Sequence, residues 1–258
     1  MNAGLVSIVG AGPGDPELLT VRAVHRLQAA DLVVYDGLVP DAIVSLARSA
    51  RHLSASRRVG QGGPSPSAVA TVLVDAARQG QRVVRLRAGD PFVLARGAEE
   101  LLALIDARVP FEIVPGLTTA SAAATLAGIP LTHRGLASGF VVVSGHAAST
   151  YGPLLGALPP NVATIVVLMG LSERGRIAEL LIERGWRSDT PAAIAVNASR
   201  DDARTWFSSL DALGHDEHDL GEDDAGVIVI GDVVEIGKVI GEQVRQVHRV
   251  QLVHQVQE

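Results

Sequence analysis

The chain has no cysteine. That absence excludes disulfides, thiolate catalysis, iron–sulfur clusters and cysteine-ligated zinc; a metal would have to rely on His, Asp and Glu, and none is expected. Aromatic residues make up only 3% of the sequence and the net charge is −6, a combination that lacks the basic stripes and stacking rings of a nucleic-acid surface. Lysine is nearly missing as well. Lys238 is the only one, so arginine supplies almost all the fixed positive charge. A GC-rich coding bias accounts for most of this preference. Guanidinium is also the cation best shaped to grip carboxylates in pairs, which leaves a few arginines as candidates for an acidic ligand. Although 47% of the residues are apolar, no run reaches the roughly 18 that a membrane span requires. The N-terminus opens on an apolar strand and shows no secretory pattern. A soluble, cytoplasmic protein is expected.

What is present is an alternation of short β-branched runs with helical patterns, the mark of βαβ units on a parallel sheet. At 258 residues the chain has room for two such domains, each with its own core. In the first half the pattern predicts strands over 5–9, 32–35, 83–86 and 111–114, and helices over 21–27, 68–78 and 99–105. Asp15 and Pro16 carry helix-start chemistry, and Thr20 is placed to cap the following periodic stretch. The pattern breaks at 130–139, where Pro, Thr, His, Arg, Gly and Ser cluster. Strands then follow over 140–144, 164–168, 192–196 and 227–230, with a helix over 174–184 and a further strand over 205–210. This organisation predicts an N-terminal domain of residues 1–134, a C-terminal domain of 135–240 and an extension of 241–258. The acidic stretch 215–224 reads as a solvated loop, and the tail from Gly237 as a peripheral helix or a partly disordered extension.

Two loops carry candidate chemistry. Gly10-Ala11-Gly12-Pro13-Gly14-Asp15-Pro16 follows the first strand, and Asp36 ends the second. A dinucleotide-binding fold has a similar look, with G-x-G-x-x-G and an acidic residue about 20 positions later, so a nicotinamide or flavin oxidoreductase is one reading. Against it stands Asp15, which occupies the third glycine position; its carboxylate would repel a pyrophosphate at the helix start. A tight strand-to-helix turn explains the first motif equally well. The second loop is Arg87-Ala88-Gly89-Asp90-Pro91-Phe92-Val93, running on to Leu94-Ala95-Arg96-Gly97-Ala98-Glu99-Glu100. In a parallel sheet the carboxyl ends of strands are where ligands collect, and two glycine–aspartate turns at that edge define a pocket better than one.

In order along the chain, Val9-Gly10-Ala11-Gly12-Pro13-Gly14-Asp15-Pro16-Glu17-Leu18-Leu19-Thr20, then Tyr35-Asp36, then Gly89-Asp90-Pro91-Phe92-Val93, resemble the tetrapyrrole methylase family. Val114-Pro115-Gly116-Leu117-Thr118-Thr119-Ala120, Gly128-Ile129-Pro130-Leu131-Thr132-His133-Arg134, Leu168-Met169-Gly170 and Gly231-Asp232-Val233-Val234 resemble its uroporphyrinogen-III branch in particular. The match runs in register over about residues 4–236. The chain departs from the family's usual pattern at Gly37, where an arginine is common, at Ser56-Arg57, where Gly-Lys is common, and at Ala88, Leu94-Ala95 and Ala98.

The resemblance implies an α/β fold of two domains of the tetrapyrrole methylase type with the active site in the cleft between them, usually as a homodimer. It implies C-methylation of uroporphyrinogen III to precorrin-2 with S-adenosyl-L-methionine (SAM) as methyl donor, on the route to sirohaem or corrinoids. A later corrin intermediate as substrate, or a SAM- or tetrapyrrole-binding relative without turnover, are the alternatives within the same resemblance. By the same analogy Pro13, Ala88, Gly89, Asp90, Val93, Thr118 and Thr119 line the SAM site from the N-terminal domain. Met169, Ala198 and Gly226 close over the adenosine from the C-terminal one. Asp36 is the implied proton acceptor, and Arg57 takes the place of the implied proton donor. Arg96 and Arg134 would bind substrate carboxylates, and Glu99 would hold or share a proton near them. By residue type alone, Met169 also fits core packing, and Arg96 with Glu99 fits a helix surface pair.

Overall fold

A computed structural model describes residues 4–56, 64–95, 97–215, 220–221, 224–241 and 243. In the first half, β1 (Leu5–Gly10), β2 (Leu32–Tyr35), β3 (Arg51–Ser54), β4 (Arg82–Arg87) and β5 (Phe111–Val114) pair in the order β3-β2-β4-β1-β5. Every pairing is parallel. Both faces of the sheet are covered, which is why β1 and β2 are apolar along most of their length, whereas β4 carries arginines among its valines and leucine. Successive side chains point to opposite faces. Val9, Val33 and Leu86 meet Ala23 and Leu27 of α1 (Val21–Gln28) and Ile43 and Val44 of α2 (Asp41–Val44). Val6, Ile8 and Val34 meet Leu73 of α3 (Pro66–Arg78) and Leu101 and Leu104 of α4 (Gly97–Asp106) on the other face.

Local chemistry starts the helices, at Thr20 as the sequence predicts and at Ser65–Pro66, ahead of the expected start at 68. Thr20 Oγ1 accepts the Ala23 N–H at 3.2 Å, and Ser65 Oγ accepts that of Ala68 at 3.1 Å with Pro66 opening α3. Each cap satisfies an N–H that has no partner within its helix. Asp15 caps a short 3₁₀ turn, Pro16–Leu18, instead of an α-helix, its Oδ1 accepting the Glu17 N–H at 2.8 Å.

The second half builds a separate mixed sheet. β6 (Phe140–Ser144), β7 (Thr164–Leu168), β8 (Pro191–Val196), β9 (Arg204–Ser209) and β10 (Gly226–Ile230) lie in the order β6-β7-β10-β8-β9. Only the β6–β7 pairing is parallel. One face packs on α6 (Ala148–Ala157), α7 (Arg174–Glu183) and α8 (Leu210–Gly214) through Tyr151, Leu155, Ile177, Leu181 and Leu210. The other carries α5 (Thr119–Leu126), whose Ala120, Ala123 and Ala124 sit close on Val166, Ala193 and Val229, together with Val233 and Val234 from a helix over residues 233–241. Because α5 packs on the second sheet, the chain divides into two compact units, Met1–Thr119 and Ala120–Glu258. The polar segment 130–139 lies inside the second.

Several elements are not evident in the apolar pattern. All four residues of β3 are exposed, since it is an edge strand, and α6 carries Pro153 in its interior. Within 215–224, positions 216–219 and 222–223 lie outside the described residues, as does almost all of 241–258. Among the described residues no helix is long and apolar enough to cross a membrane.

Candidate active site

Since all five strands of the first sheet run the same way, the turns that follow them gather at one edge. The turns after β1 and β4 are zipped together by main chain: Gly12 N–H donates to Gly89 O at 3.1 Å, Gly89 N–H to Gly12 O at 2.8 Å, and Ala11 N–H to Arg87 O at 2.7 Å. Gly89 holds φ at 68°, a left-handed value that glycine adopts freely. The turn after β5 presses in from the other side. A methyl group on Gly10 would stand 2.5 Å from Gly116 N, and one on Gly116 would stand 2.3 Å from Gly89 O. Three turns therefore meet backbone to backbone, with no room for side chains between them.

Asp90 locks this cradle. Its Oδ1 accepts the Phe92 N–H at 2.9 Å and its Oδ2 the Gly116 N–H at 3.2 Å, tying the β4 turn to the β5 turn. Pro13, Ala88, Val93, Thr118 and Thr119 are half-buried on the same three turns. Thr119 Oγ1 comes within 3.3 Å of the place a Gly89 methyl would take. The seven expected SAM-site residues of the first half thus lie on three adjacent turns.

The next strand end holds Asp36, and behind it lies a buried charge cluster. Arg85 and Arg87 alternate along β4 and face α4, where Glu100 is buried. Asp36 Oδ1 accepts from Arg85 Nη2 at 2.5 Å. Glu100 Oε1 accepts from both Arg85 Nε and Arg87 Nη1, each at 3.0 Å. Arg87 Nε lies 3.4 Å from Asp36 Oδ2, close enough for charge pairing but outside hydrogen-bond geometry among the described residues. The family resemblance points to Glu99 and not to Glu100. The structure leaves Glu99 exposed and turns Glu100 inward. A signal is present in the sequence: Arg85 and Arg87, at alternate positions among Val83, Val84 and Leu86, are anomalous unless their charges are paired inside.

In the second unit β7 and β8 end, and β10 begins, at one edge, because β10 runs antiparallel to both. Met169, Ala198 and Gly226 are collected there. Met169 holds φ at 56° and leaves 52% of its surface exposed. Packing within its own unit does not account for an unbranched apolar side chain kept on left-handed backbone and in the open. Asn197, also left-handed at 50°, ties the strand ends together: its N–H donates to Ala225 O at 2.9 Å and its Nδ2 to Asp202 Oδ2 at 2.6 Å. Arg134 is exposed in the turn between His133 and Ala137, which pair with each other. That turn and Val162 line an open depression. Both precede β6 and β7, so Arg134 belongs to the opposite edge of the second sheet from Met169.

The sequence fits the family description Tetrapyrrole (Corrin/Porphyrin) Methylases over residues 5–214. The chain belongs to the tetrapyrrole methylase family. It is 38% identical over 246 residues to an S-adenosyl-L-methionine-dependent uroporphyrinogen III methyltransferase of Methanosarcina barkeri, covering 94% of this chain and 96% of that one. It is 39% identical over 235 residues to Siroheme synthase 1 of Klebsiella pneumoniae, covering 90% of this chain and 50% of that one. The chain thus spans about half the length of the curated siroheme synthases it matches. Among solved structures, the uroporphyrin-III C-methyl transferase of Thermus thermophilus in complex with S-adenosylhomocysteine is similar at a TM-score of 0.77 and 35% identity, over 90% of this chain and 100% of that one.

For a tetrapyrrole methylase the dinucleotide reading falls away, and the local geometry agrees. Asp15 already takes the Glu17 N–H at the start of the 3₁₀ turn after β1, where a pyrophosphate would need to bind. Arg57 and Arg96 lie outside the described residues. Ser56, immediately before Arg57, stands against Gly37, so a methyl group at residue 37 would come 2.5 Å from Ser56 Oγ.

Proposed function

We propose that the chain is a SAM-dependent C-methyltransferase that converts uroporphyrinogen III to precorrin-2, on the route to sirohaem or corrinoids. The observation that carries this reading is the pairing of a main-chain cradle with an adjacent carboxylate, in a chain similar over nearly its whole length to an enzyme of that name. The cradle suits SAM. Crowding at Gly10, Gly89 and Gly116 keeps side chains out, so the adenosine and methionine groups of the donor can come close to the main chain.

SAM supplies an electrophilic methyl group on a sulfonium. The protein's share of the work is placement and proton management. Pro13, Ala88, Gly89, Val93, Thr118 and Thr119 hold the donor, Asp90 keeps their turns in register, and Met169, Ala198 and Gly226 serve its adenosine. As the electron-rich ring carbon bonds to the methyl carbon, the carbon–sulfur bond breaks with its electron pair going to sulfur. The macrocycle then releases a proton, and Asp36 accepts it. Arg57 and Arg96 pair with the substrate's carboxylates and Glu99 shares a proton beside them, while Arg134, at the opposite edge of the second sheet from Met169, pairs with a carboxylate remote from the adenosine. The same reading makes the enzyme a cytoplasmic homodimer.

An anaerobic incubation with SAM and uroporphyrinogen III tests it. S-adenosylhomocysteine and a methylated tetrapyrrole should both appear, and calorimetry should show binding of S-adenosylhomocysteine but not of NAD, NADP or FAD. Binding without turnover would point to a retired relative. Methylation of a later corrin intermediate alone would reassign the substrate.

A further inference from the structure

The charge cluster behind Asp36 has no assigned part in the reaction. Its four members differ sharply in access. The side chains of Arg85, Glu100 and Arg87 are 3%, 5% and 9% exposed, whereas that of Asp36 is 29% exposed. A ligand at the strand edge reaches Asp36 alone. Whatever the other three contribute, they contribute through it.

The cluster is also built to be rigid. Arg85 Nη1 donates to two main-chain oxygens, Val34 O at 3.3 Å and Leu86 O at 3.2 Å, which pins its guanidinium to the sheet. Glu100 Oε1 then bridges Arg85 to Arg87. Burying two guanidinium groups and a carboxylate is expensive, and apolar residues of similar volume commonly give equal or greater stability. A cluster of this kind is therefore poorly explained by stability alone. The two oxygens of Asp36 are held unequally, Oδ1 at 2.5 Å from Arg85 and Oδ2 at 3.4 Å from Arg87. The tight contact fixes the carboxylate plane, and the loose one leaves Oδ2 with capacity to take a proton.

We propose that Arg85, Arg87 and Glu100 are positioning residues that hold the Asp36 carboxylate for proton acceptance, with Oδ2 as the accepting oxygen. This rests on the methyltransferase reading, in which Asp36 is the base. Misplacing a reacting group by about 1 Å can lower a rate about a hundredfold. Arg87→Met should accordingly lower kcat by about ten- to a hundredfold, with KM for uroporphyrinogen III and the Kd for S-adenosylhomocysteine changing by less than about twofold. Arg87→Lys should restore most of the loss.

The deciding measurement is a double-mutant cycle on single-turnover methyl transfer. Asp36→Asn alone should lower transfer at least about a hundredfold. If Arg87 acts through Asp36, adding Arg87→Met to Asp36→Asn should cost less than about a further twofold. An equal loss in both backgrounds would mark a merely structural role, and no loss in either would overturn the proposal directly. Should Arg87→Met fail to fold, the isosteric Glu100→Gln carries the same cycle. A wild type that binds S-adenosylhomocysteine yet forms no product would bring down the functional reading and this proposal with it. A wild type that turns over while Arg87→Met is unaffected would sink the positioning role alone.

Discussion

Gly37 and Ser56 are separate departures from the family's usual pattern, yet in space they are one. A methyl group at residue 37 would crowd Ser56 Oγ at 2.5 Å, and that hydroxyl is already bonded to Ser54 Oγ at 2.6 Å. Where the family commonly carries an arginine at the first position, it commonly carries a glycine at the second. The serine here fills the room that the missing side chain leaves. Gly37→Ala should therefore lower stability by about 1 kcal/mol, roughly one displaced hydrogen bond, and Ser56→Gly should remove most of that penalty. Thermal melts of the two single variants and the double test the coupling; strict additivity would show that the residues are independent. The two departures were visible in the sequence. Their coupling was not, because it exists only once β2 and β3 pair and Ala55 N–H reaches Tyr35 O at 2.8 Å. The same reason hid Arg85 and Glu100, whose charges meet only when α4 packs on β4.

At the level of elements, β2, β5, β6 and β7 begin and end where the sequence predicts, although only β2 and β7 are buried along nearly their whole length. Strand direction is another matter. An apolar run says nothing of which way its neighbour runs, so the antiparallel pairings of β10 could not be read from it. The turns were the most legible part of the site, because close approach of backbones demands glycine and glycine is visible in sequence. A pair of like substitutions separates that demand from ordinary glycine content. Gly116→Ala puts a methyl group 2.3 Å from Gly89 O, where main chain must shift. The expected results are a loss of about 1–3 kcal/mol in stability and at least about tenfold weaker binding of S-adenosylhomocysteine, equivalent to 1.4 kcal/mol or more. Gly152→Ala in α6 meets nothing within 4 Å and should be neutral or stabilising by about 0.5–1 kcal/mol, the ordinary gain of alanine in a helix. Chemical denaturation and calorimetry on both variants check the contrast. If Gly116→Ala binds S-adenosylhomocysteine like wild type, the three turns do not form the donor cradle.

Across the whole molecule, two carboxyl ties in the first unit and a phenol in the second respond to pH with opposite sign. Glu112 on β5 accepts from Ser7 Oγ at 2.7 Å and from Arg26 Nη2 on α1 at 3.0 Å; its bonding to Arg26 is the main reason its carboxyl stays below the usual glutamate range. Asp31 is held below its usual range by Arg82, whose Nη2 donates at 2.9 Å and whose main-chain N–H donates at 2.8 Å. A folded-state value below the unfolded one means that the folded chain binds fewer protons. The resulting stabilisation is complete above about pH 5 and is lost as pH falls through the lowered values. In the second unit burial, with Glu173 Oε2 accepting from the Tyr151 hydroxyl at 3.1 Å, pushes the Tyr151 phenol up. There the sign reverses: the contribution is complete below about pH 10 and lost as pH rises through the raised value. Both tryptophans, Trp186 and Trp206, belong to the second unit, so tryptophan emission reports on it alone while far-UV circular dichroism sums both units. Acidification to about pH 3 should therefore reduce ellipticity before emission shifts, and alkali above about pH 10 should move emission first. Glu112→Gln should lower stability at neutral pH and flatten the acid limb without touching the alkaline one, and Tyr151→Phe should flatten only the alkaline limb. Coincident ellipticity and emission changes in acid, with an acid limb unaltered in Glu112→Gln, would show that these ties do not govern the response.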